Sequence, residues 1–117
     1  MFRSLFGQVM GGTAVKNITP NEVQELIKSK KPVLLLDVRQ PEEFAHDGHI
    51  KGARLMPLSS LRDRASELPK DTPIVCVCRS GARSRTACEQ LTRQGFADIS
   101  NLSGGMIAWK RARLPFI

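Results

Sequence analysis

The sequence predicts an α/β domain built on a mostly parallel sheet with helices on both faces. Three observations carry that expectation. Two runs, Val33-Leu34-Leu35-Leu36-Asp37-Val38 and Pro73-Ile74-Val75-Cys76-Val77-Cys78, are almost continuously apolar, which suits strands buried on both faces rather than on one. Segments with helical periodicity alternate with the strand-like ones along the chain. The chain has 117 residues, enough for one ordinary core without disulfide staples.

The elements follow in order. Gly11-Gly12-Thr13 is the one linker-like spot, so residues 1–14 read as a tail or short helix and residues 15–117 as the domain. Within that tail Met1, Phe2, Leu5, Phe6, Val9 and Met10 share one helical face, a candidate contact for a partner or a membrane surface; a tail or a segment laid on the domain is the plainer reading. Ala14 to Ile18 reads as a short strand. Thr19-Pro20-Asn21-Glu22 is a capping box with Pro at the first helical position, and Val23, Leu26 and Ile27 form the apolar face of the helix it opens. The first apolar run follows as a strand. Pro41-Glu42-Glu43-Phe44 starts a short helix. Ala53 to Met56 is a short strand closed by Pro57. Leu58 to Leu68 reads as a helix with Leu58, Leu61, Ala65 and Leu68 on one side. After the second apolar run and a short loop comes a long helix with Ala87, Cys88 and Leu91 inward and Gly95 as its stop. Ile99 to Leu102 is the last strand, and Ser103-Gly104-Gly105 turns into a final helix bearing Met106, Ile107 and Trp109.

Composition removes several function classes. The formal charge is +7, from 18 Lys+Arg against 11 Asp+Glu, so the surface attracts anions. Five Phe, one Trp and no Tyr give little for stacking bases, and the basic balance reads as solvated surface rather than a nucleic-acid interface. No stretch approaches the ~20 apolar residues that cross a bilayer. Three cysteines is an odd and sparse count, which points to a free thiol in a reducing, cytoplasmic setting rather than a stapled secreted domain.

The chemistry concentrates in Cys78-Arg79-Ser80-Gly81-Ala82-Arg83-Ser84. Ligands of open α/β sheets bind beyond the carboxyl ends of the strands, and Cys78 lies at such an end. A short glycine-containing turn into a helix aims backbone N–H groups and the positive end of the helix dipole at one spot, with Arg79 and Arg83 adding charge. These features favour the thiolate, so Cys78 is expected to ionise below the free-thiol value of about 8.5. A thiolate in a bowl of donors is a nucleophile, and the bowl also stabilises an anionic atom bound to it. Cysteine-dependent phosphatases have one residue more between the Cys and the Arg; the four residues between Cys78 and Arg83 suit the terminal sulfur of a persulfide better than a phosphate.

At this point the chain resembles the rhodanese-type sulfurtransferases. The resemblance rests on Asp37-Val38-Arg39, Glu43-Phe44, Gly48-His49-Ile50, Gly52-Ala53, Pro57, the Cys78 to Ser84 loop, and Gly104-Gly105 followed by Ala108-Trp109, in order over about residues 16 to 115. It is closer to the single-domain bacterial type than to the tandem type. The resemblance implies a rhodanese-like fold with a five-stranded parallel sheet. It implies transfer of a sulfane sulfur from a small anionic donor, such as thiosulfate or a persulfide, to a thiol or protein acceptor through a Cys78 persulfide. No metal and no organic cofactor are implied. Arg79, Ser80, Gly81, Ala82, Arg83 and Ser84 match the loop that cradles the sulfur, and Asp37 and Arg39 match a pair that supports it. Glu43 stands where the tandem enzymes are expected to carry a substrate-binding Arg, and the loop is more charged than in the mercaptopyruvate type; both points lead away from mercaptopyruvate as donor.

Other readings stand beside this one. A rhodanese-fold module could deliver or bind sulfur with little turnover of its own, although such modules usually lose the cysteine. A phosphatase or arsenate reductase of related fold is disfavoured by the loop length. Cys76 and Cys88 read as core packing, with a resolving role for Cys76 as the alternative. His46 and His49 are too few to hold a metal, and His49 reads as a structural hydrogen-bonding group. Asp37 and Arg39 have a plainer alternative as an ion pair tying two loops. Trp109 reads as core.

Overall fold

The computed structural model describes residues 14–117. The apolar face proposed over Met1–Met10 lies outside them. Five strands, β1 (Lys16–Ile18), β2 (Leu34–Asp37), β3 (Arg54–Leu55), β4 (Ile74–Val77) and β5 (Ile99–Leu102), form one sheet. Its order is β1-β5-β4-β2-β3 and every pairing is parallel. The helices are α1 (Pro20–Lys28), α2 (Pro41–His46), α3 (Leu58–Arg64), α4 (Ala82–Arg93) and α5 (Gly105–Arg111).

Each apolar run splits its side chains between two cores. Leu36, Val38, Ile74, Cys76 and Cys78 point to one face and pack with Leu61 of α3 and Ala87, Cys88 and Leu91 of α4. Leu35, Val75 and Val77 point to the other and pack with Val23 of α1 and Met106 and Trp109 of α5. This period-two division of one continuous apolar run is why the two runs occupy the middle of the sheet. Trp109 is fully buried, with its indole N–H donating to the Pro115 carbonyl at 2.9 Å.

The Thr19 capping box forms in both directions: Glu22 N–H donates to Thr19 Oγ1 at 3.1 Å and Thr19 N–H to Glu22 Oε1 at 2.9 Å. Three expected elements differ in extent, among them the strand expected over Ala53 to Met56, which keeps only Arg54–Leu55. The first strand keeps only Lys16–Ile18. The helix expected over Leu58 to Leu68 ends at Arg64 and continues as a 3-10 turn, Ala65–Glu67. There Glu67 is gripped by both Arg64 and Arg54 at 3.0 Å, and the Arg64–Glu67 spacing of three residues is the one a tighter helix brings into line. Among the described residues no helix is long and apolar enough to cross a membrane.

Candidate active site

The sheet order makes β4 and β2 neighbours, so the loops that leave their carboxyl ends lie side by side. The loop after β4 contains Cys78 and the turn after β2 contains Arg39. Strand β4 delivers Cys78 to its end with no exposed surface. Gly81, at φ 104°, is the N-cap of α4, a left-handed conformation that glycine adopts without Cβ strain. The turn bends the chain back over the sulfur. Gly81 N–H donates to Cys78 Sγ at 3.0 Å and Ser84 N–H at 3.3 Å, and Ser84 Oγ lies 3.2 Å away. Burial pushes the Cys78 thiol up, but the Ser84 hydroxyl and the amides of Ser84, Gly81 and Ser80 outweigh it, so the net shift is downward. The donors expected from the loop sequence are thus brought together on one sulfur.

The other face of the loop is held by α5. Met106 N–H donates to the Cys78 carbonyl at 2.8 Å and Ile107 N–H to the Arg79 carbonyl at 3.0 Å. With these carbonyls tied outward, the following amides turn toward the sulfur. The approach is so close that a Cβ on Gly105, whose φ is 57°, would collide with both carbonyls. Gly105→Ala is therefore expected to destabilise the fold by ~2–3 kcal/mol in urea titrations and to slow alkylation of Cys78. A variant with unchanged midpoint and alkylation rate would show that α5 does not shape the loop.

The two loop arginines differ. Arg79 is exposed, and among the described residues it makes no ion pair. It borders a cavity of about 560 Å³ whose wall also includes Arg39, His46, Met106 and Lys110. Arg83 is engaged by Glu43 of α2 through two bonds, 2.7 Å and 2.8 Å. Glu43 is itself aimed by its helix, because its Oε1 accepts the Gln40 N–H at 3.0 Å. Arg83 holds the Glu43 carboxyl well below its ordinary range, at about 2. Sequence marks Glu43 as part of the Glu43-Phe44 motif and as a departure from the tandem enzymes, but not as the partner of Arg83; forty positions separate the two.

Asp37 and Arg39 are fully buried and paired, Arg39 Nη2 to Asp37 Oδ2 at 2.8 Å and Nε to Oδ1 at 2.9 Å. Arg39 also donates to the Gly48 carbonyl at 2.8 Å. Among the described residues their side-chain hydrogen bonds run to each other, to the Arg39 amide and to this turn rather than to the Cys78 loop, the arrangement of the ion-pair alternative. His49 stacks on Phe44, ring centroids 3.7 Å apart, and its Nδ1 lies 2.9 Å from the Phe44 carbonyl. Cys76 and Cys88 are buried free thiols; the Cys88 thiol beside it and burial push the Cys76 thiol up, opposite to Cys78. Among the described residues no three His, Cys, Asp or Glu side chains converge to hold a metal ion.

One residue near the sulfur was not singled out by sequence. Asn101 of β5 is buried in the core and lies 2.5 Å from Ser84 Oγ. The available signal was an amide within Ile99-Ser100-Asn101-Leu102, since buried polar groups on a central strand require partners.

Comparison with known proteins agrees with this geometry. The family model of the rhodanese-like domain matches residues 19–112. A protein named sulfurtransferase from Allochromatium vinosum is 42% identical over 103 residues, covering 88% of this chain and 95% of its own. The thiosulfate sulfurtransferase GlpE of Ectopseudomonas mendocina is 36% identical over 100 residues, covering 86% of this chain and 88% of its own. The crystal structure of a rhodanese-related protein from Thermoplasma volcanium superposes with a TM-score of 0.80 at 30% identity, covering 87% of this chain and 97% of that one. The five-stranded parallel sheet, its flanking helices and this match over nearly all of the described residues place the chain in the rhodanese-like domain family.

Proposed function

We propose that the chain is a sulfurtransferase that carries a sulfane sulfur on Cys78. The observation that supports this best is the Cys78 sulfur itself: buried, ionised more readily than a free thiol, and met by convergent N–H groups from a loop too short for a phosphate-sized bowl. The names of the relatives agree with the reading.

In the first step the Cys78 thiolate attacks the outer sulfur of a donor. A new S–S bond forms to Cys78 while the donor's S–S bond breaks, and its electron pair leaves with sulfite from thiosulfate or with a thiolate from a persulfide. The negative charge on the terminal sulfur is then stabilised by the loop amides. In the second step a thiophilic acceptor attacks that terminal sulfur, and the bond to Cys78 breaks to return the thiolate. Ping-pong kinetics follow. Arg79, without an ion pair among the described residues and bordering the cavity it shares with Asp47 and Lys110, meets the anionic end of the donor. Ser80, Gly81, Ala82 and Ser84 supply the cradle, and Asp37 with Arg39 supports it indirectly, by tying the end of β2, beside the loop, to the Gly48 turn. The test is incubation with thiosulfate and cyanide, reading thiocyanate, together with intact mass for a one-sulfur adduct. Absence of both, with persulfide donors also leaving the mass unchanged, would sink the proposal.

The Glu43–Arg83 pair tunes the donor preference. Glu43→Gln removes the negative charge that compensates Arg83, so KM for thiosulfate is expected to fall severalfold while kcat changes little. An unchanged or raised KM counts against the assignment. The same variant loses about 0.5–1 kcal/mol of stability near neutral pH, as suits a partly exposed pair. The pH sign follows from the depressed carboxyl. In the folded protein Glu43 titrates near 2, against 4.5 for the ordinary group, so its contribution is complete above about 4.5 and is lost as pH falls toward 2. The stability gap between wild type and Glu43→Gln should close over that window.

A further inference from the structure

Asn101 sits at the junction of three groups. Its Nδ2 lies 3.2 Å from the Gly81 carbonyl and 3.4 Å from Asn17 Oδ1, and its Oδ1 lies 2.5 Å from Ser84 Oγ. A backbone carbonyl only accepts, so the amide nitrogen must face Gly81 and the amide oxygen must face Ser84. Two oxygens 2.5 Å apart need a proton between them, and the amide oxygen has none to give. The proton is that of the Ser84 hydroxyl. Ser84 Oγ also lies 3.2 Å from Cys78 Sγ, yet a hydroxyl has one proton for two acceptors.

We propose that Asn101 is a positioning residue for the reacting sulfur, holding the Gly81 carbonyl with its N–H and drawing the Ser84 hydroxyl proton away from Cys78 in the resting thiol state. In that state the Cys78 S–H donates to Ser84 Oγ and the Ser84 O–H donates to Asn101. When Cys78 is a thiolate or persulfide its sulfur only accepts, and the Ser84 hydroxyl turns to it. Asn101 then loses that donor. Its carbonyl therefore favours the thiol form and sets how readily the sulfur becomes a nucleophile. The inference rests on Cys78 as the reacting group of the proposed function.

The charged and titratable groups that face the loop are Arg79 and Arg83 of the loop itself, Glu43 and His46 of α2 with Asp47 after it, Asp37 and Arg39 at the end of β2, Lys110 of α5, and the Cys76 and Cys88 thiols of β4 and α4. None of these side chains is itself altered when Asn101 is changed. The test reads the pH dependence of Cys78 alkylation by iodoacetamide in the intact chain, with Cys76 and Cys88 replaced by Ala in every protein compared. Asn101→Leu and the smaller Asn101→Val fill the site without an acceptor, leaving the sulfur as the partner of the Ser84 hydroxyl. Both should move the alkylation midpoint down by roughly half a pH unit or more. Asn101→Asp keeps the acceptor and adds negative charge, and should move it up. In a Ser84→Ala background the downward shift should vanish. Midpoints that stay put, that move up in Leu and Val, or that move down equally without the Ser84 hydroxyl overturn the proposal. Alkylation does not require sulfur transfer, so a chain inactive toward every donor would defeat the functional reading while leaving this one open to support.

Discussion

Cys78→Ser is expected to lose the one-sulfur adduct and at least about a thousandfold in sulfur transfer, with its melting temperature almost unchanged. The loss is chemical. A serine hydroxyl is far less acidic than a thiol and has no counterpart to the S–S bond in which the proposed function has the sulfur travel. The small effect on stability follows from the site. The Gly81 and Ser84 amides that now meet the sulfur can donate to an oxygen instead, so the substitution leaves no buried donor orphaned. Cys76→Ser and Cys88→Ser give the reverse pattern. Both side chains lie in the apolar core between the sheet and α3 and α4, where a hydroxyl brings a desolvation cost of ~1–2 kcal/mol and no direct part in transfer. Measured together, by thiocyanate release and by urea titration, the three variants separate a carrier cysteine from two packing cysteines. Transfer retained in Cys78→Ser would remove Cys78 from the mechanism. A Cys76–Cys78 disulfide that forms on oxidation of the wild type, with Cys78 over-oxidised in Cys76→Ser, would bring back the resolving role weighed for Cys76.

What the sequence disclosed follows from how local each signal is. The runs around Leu34–Asp37 and Ile74–Val77 announced central strands because burial on both faces leaves no polar alternation, and Thr19 to Glu22 announced a helix start because its cap bonds span three residues. The Cys78 loop was legible for the same reason: the donors that reach its sulfur come from positions within six residues of it. Contacts made across the fold were not legible. Glu43 meets Arg83, and Asn101 meets Ser84 and Gly81, only because the sheet order puts the loops after β2 and β4 together and β5 beside β4. Nothing in a single chain's spacing encodes that order. Asp37 and Arg39 are intermediate: their two-residue spacing allowed an ion pair to be considered, but the bond to Gly48 needs the α2–β3 connection to return to the end of β2.

Arg39→Met is expected to cost ~3–5 kcal/mol, a large part of the stability of a domain this size. The cost does not come from losing attraction alone. Arg39 and Asp37 are both fully buried, so removing the guanidinium leaves a carboxylate in the protein interior with the Arg39 amide as its one remaining partner here, and strips the Gly48 carbonyl of its donor. Asp37→Leu with Arg39→Met removes both charges and should recover much of the loss, because two apolar side chains of similar bulk carry no desolvation penalty. Urea titration of the two single variants and the double variant reads this directly, and a double variant no more stable than Arg39→Met would contradict it. The same set decides what the pair does for the reaction. Arg39 borders the cavity beside Arg79, so substrate contact and structural support both have a geometric basis. If the pair only ties the end of β2 to the Gly48 turn, the refolded double variant keeps its KM for thiosulfate. If Arg39 holds the donor, KM rises in the double variant however well its stability is restored. The hydrogen bonds of Nε and Nη2, which go to Asp37 and Gly48, favour the first outcome.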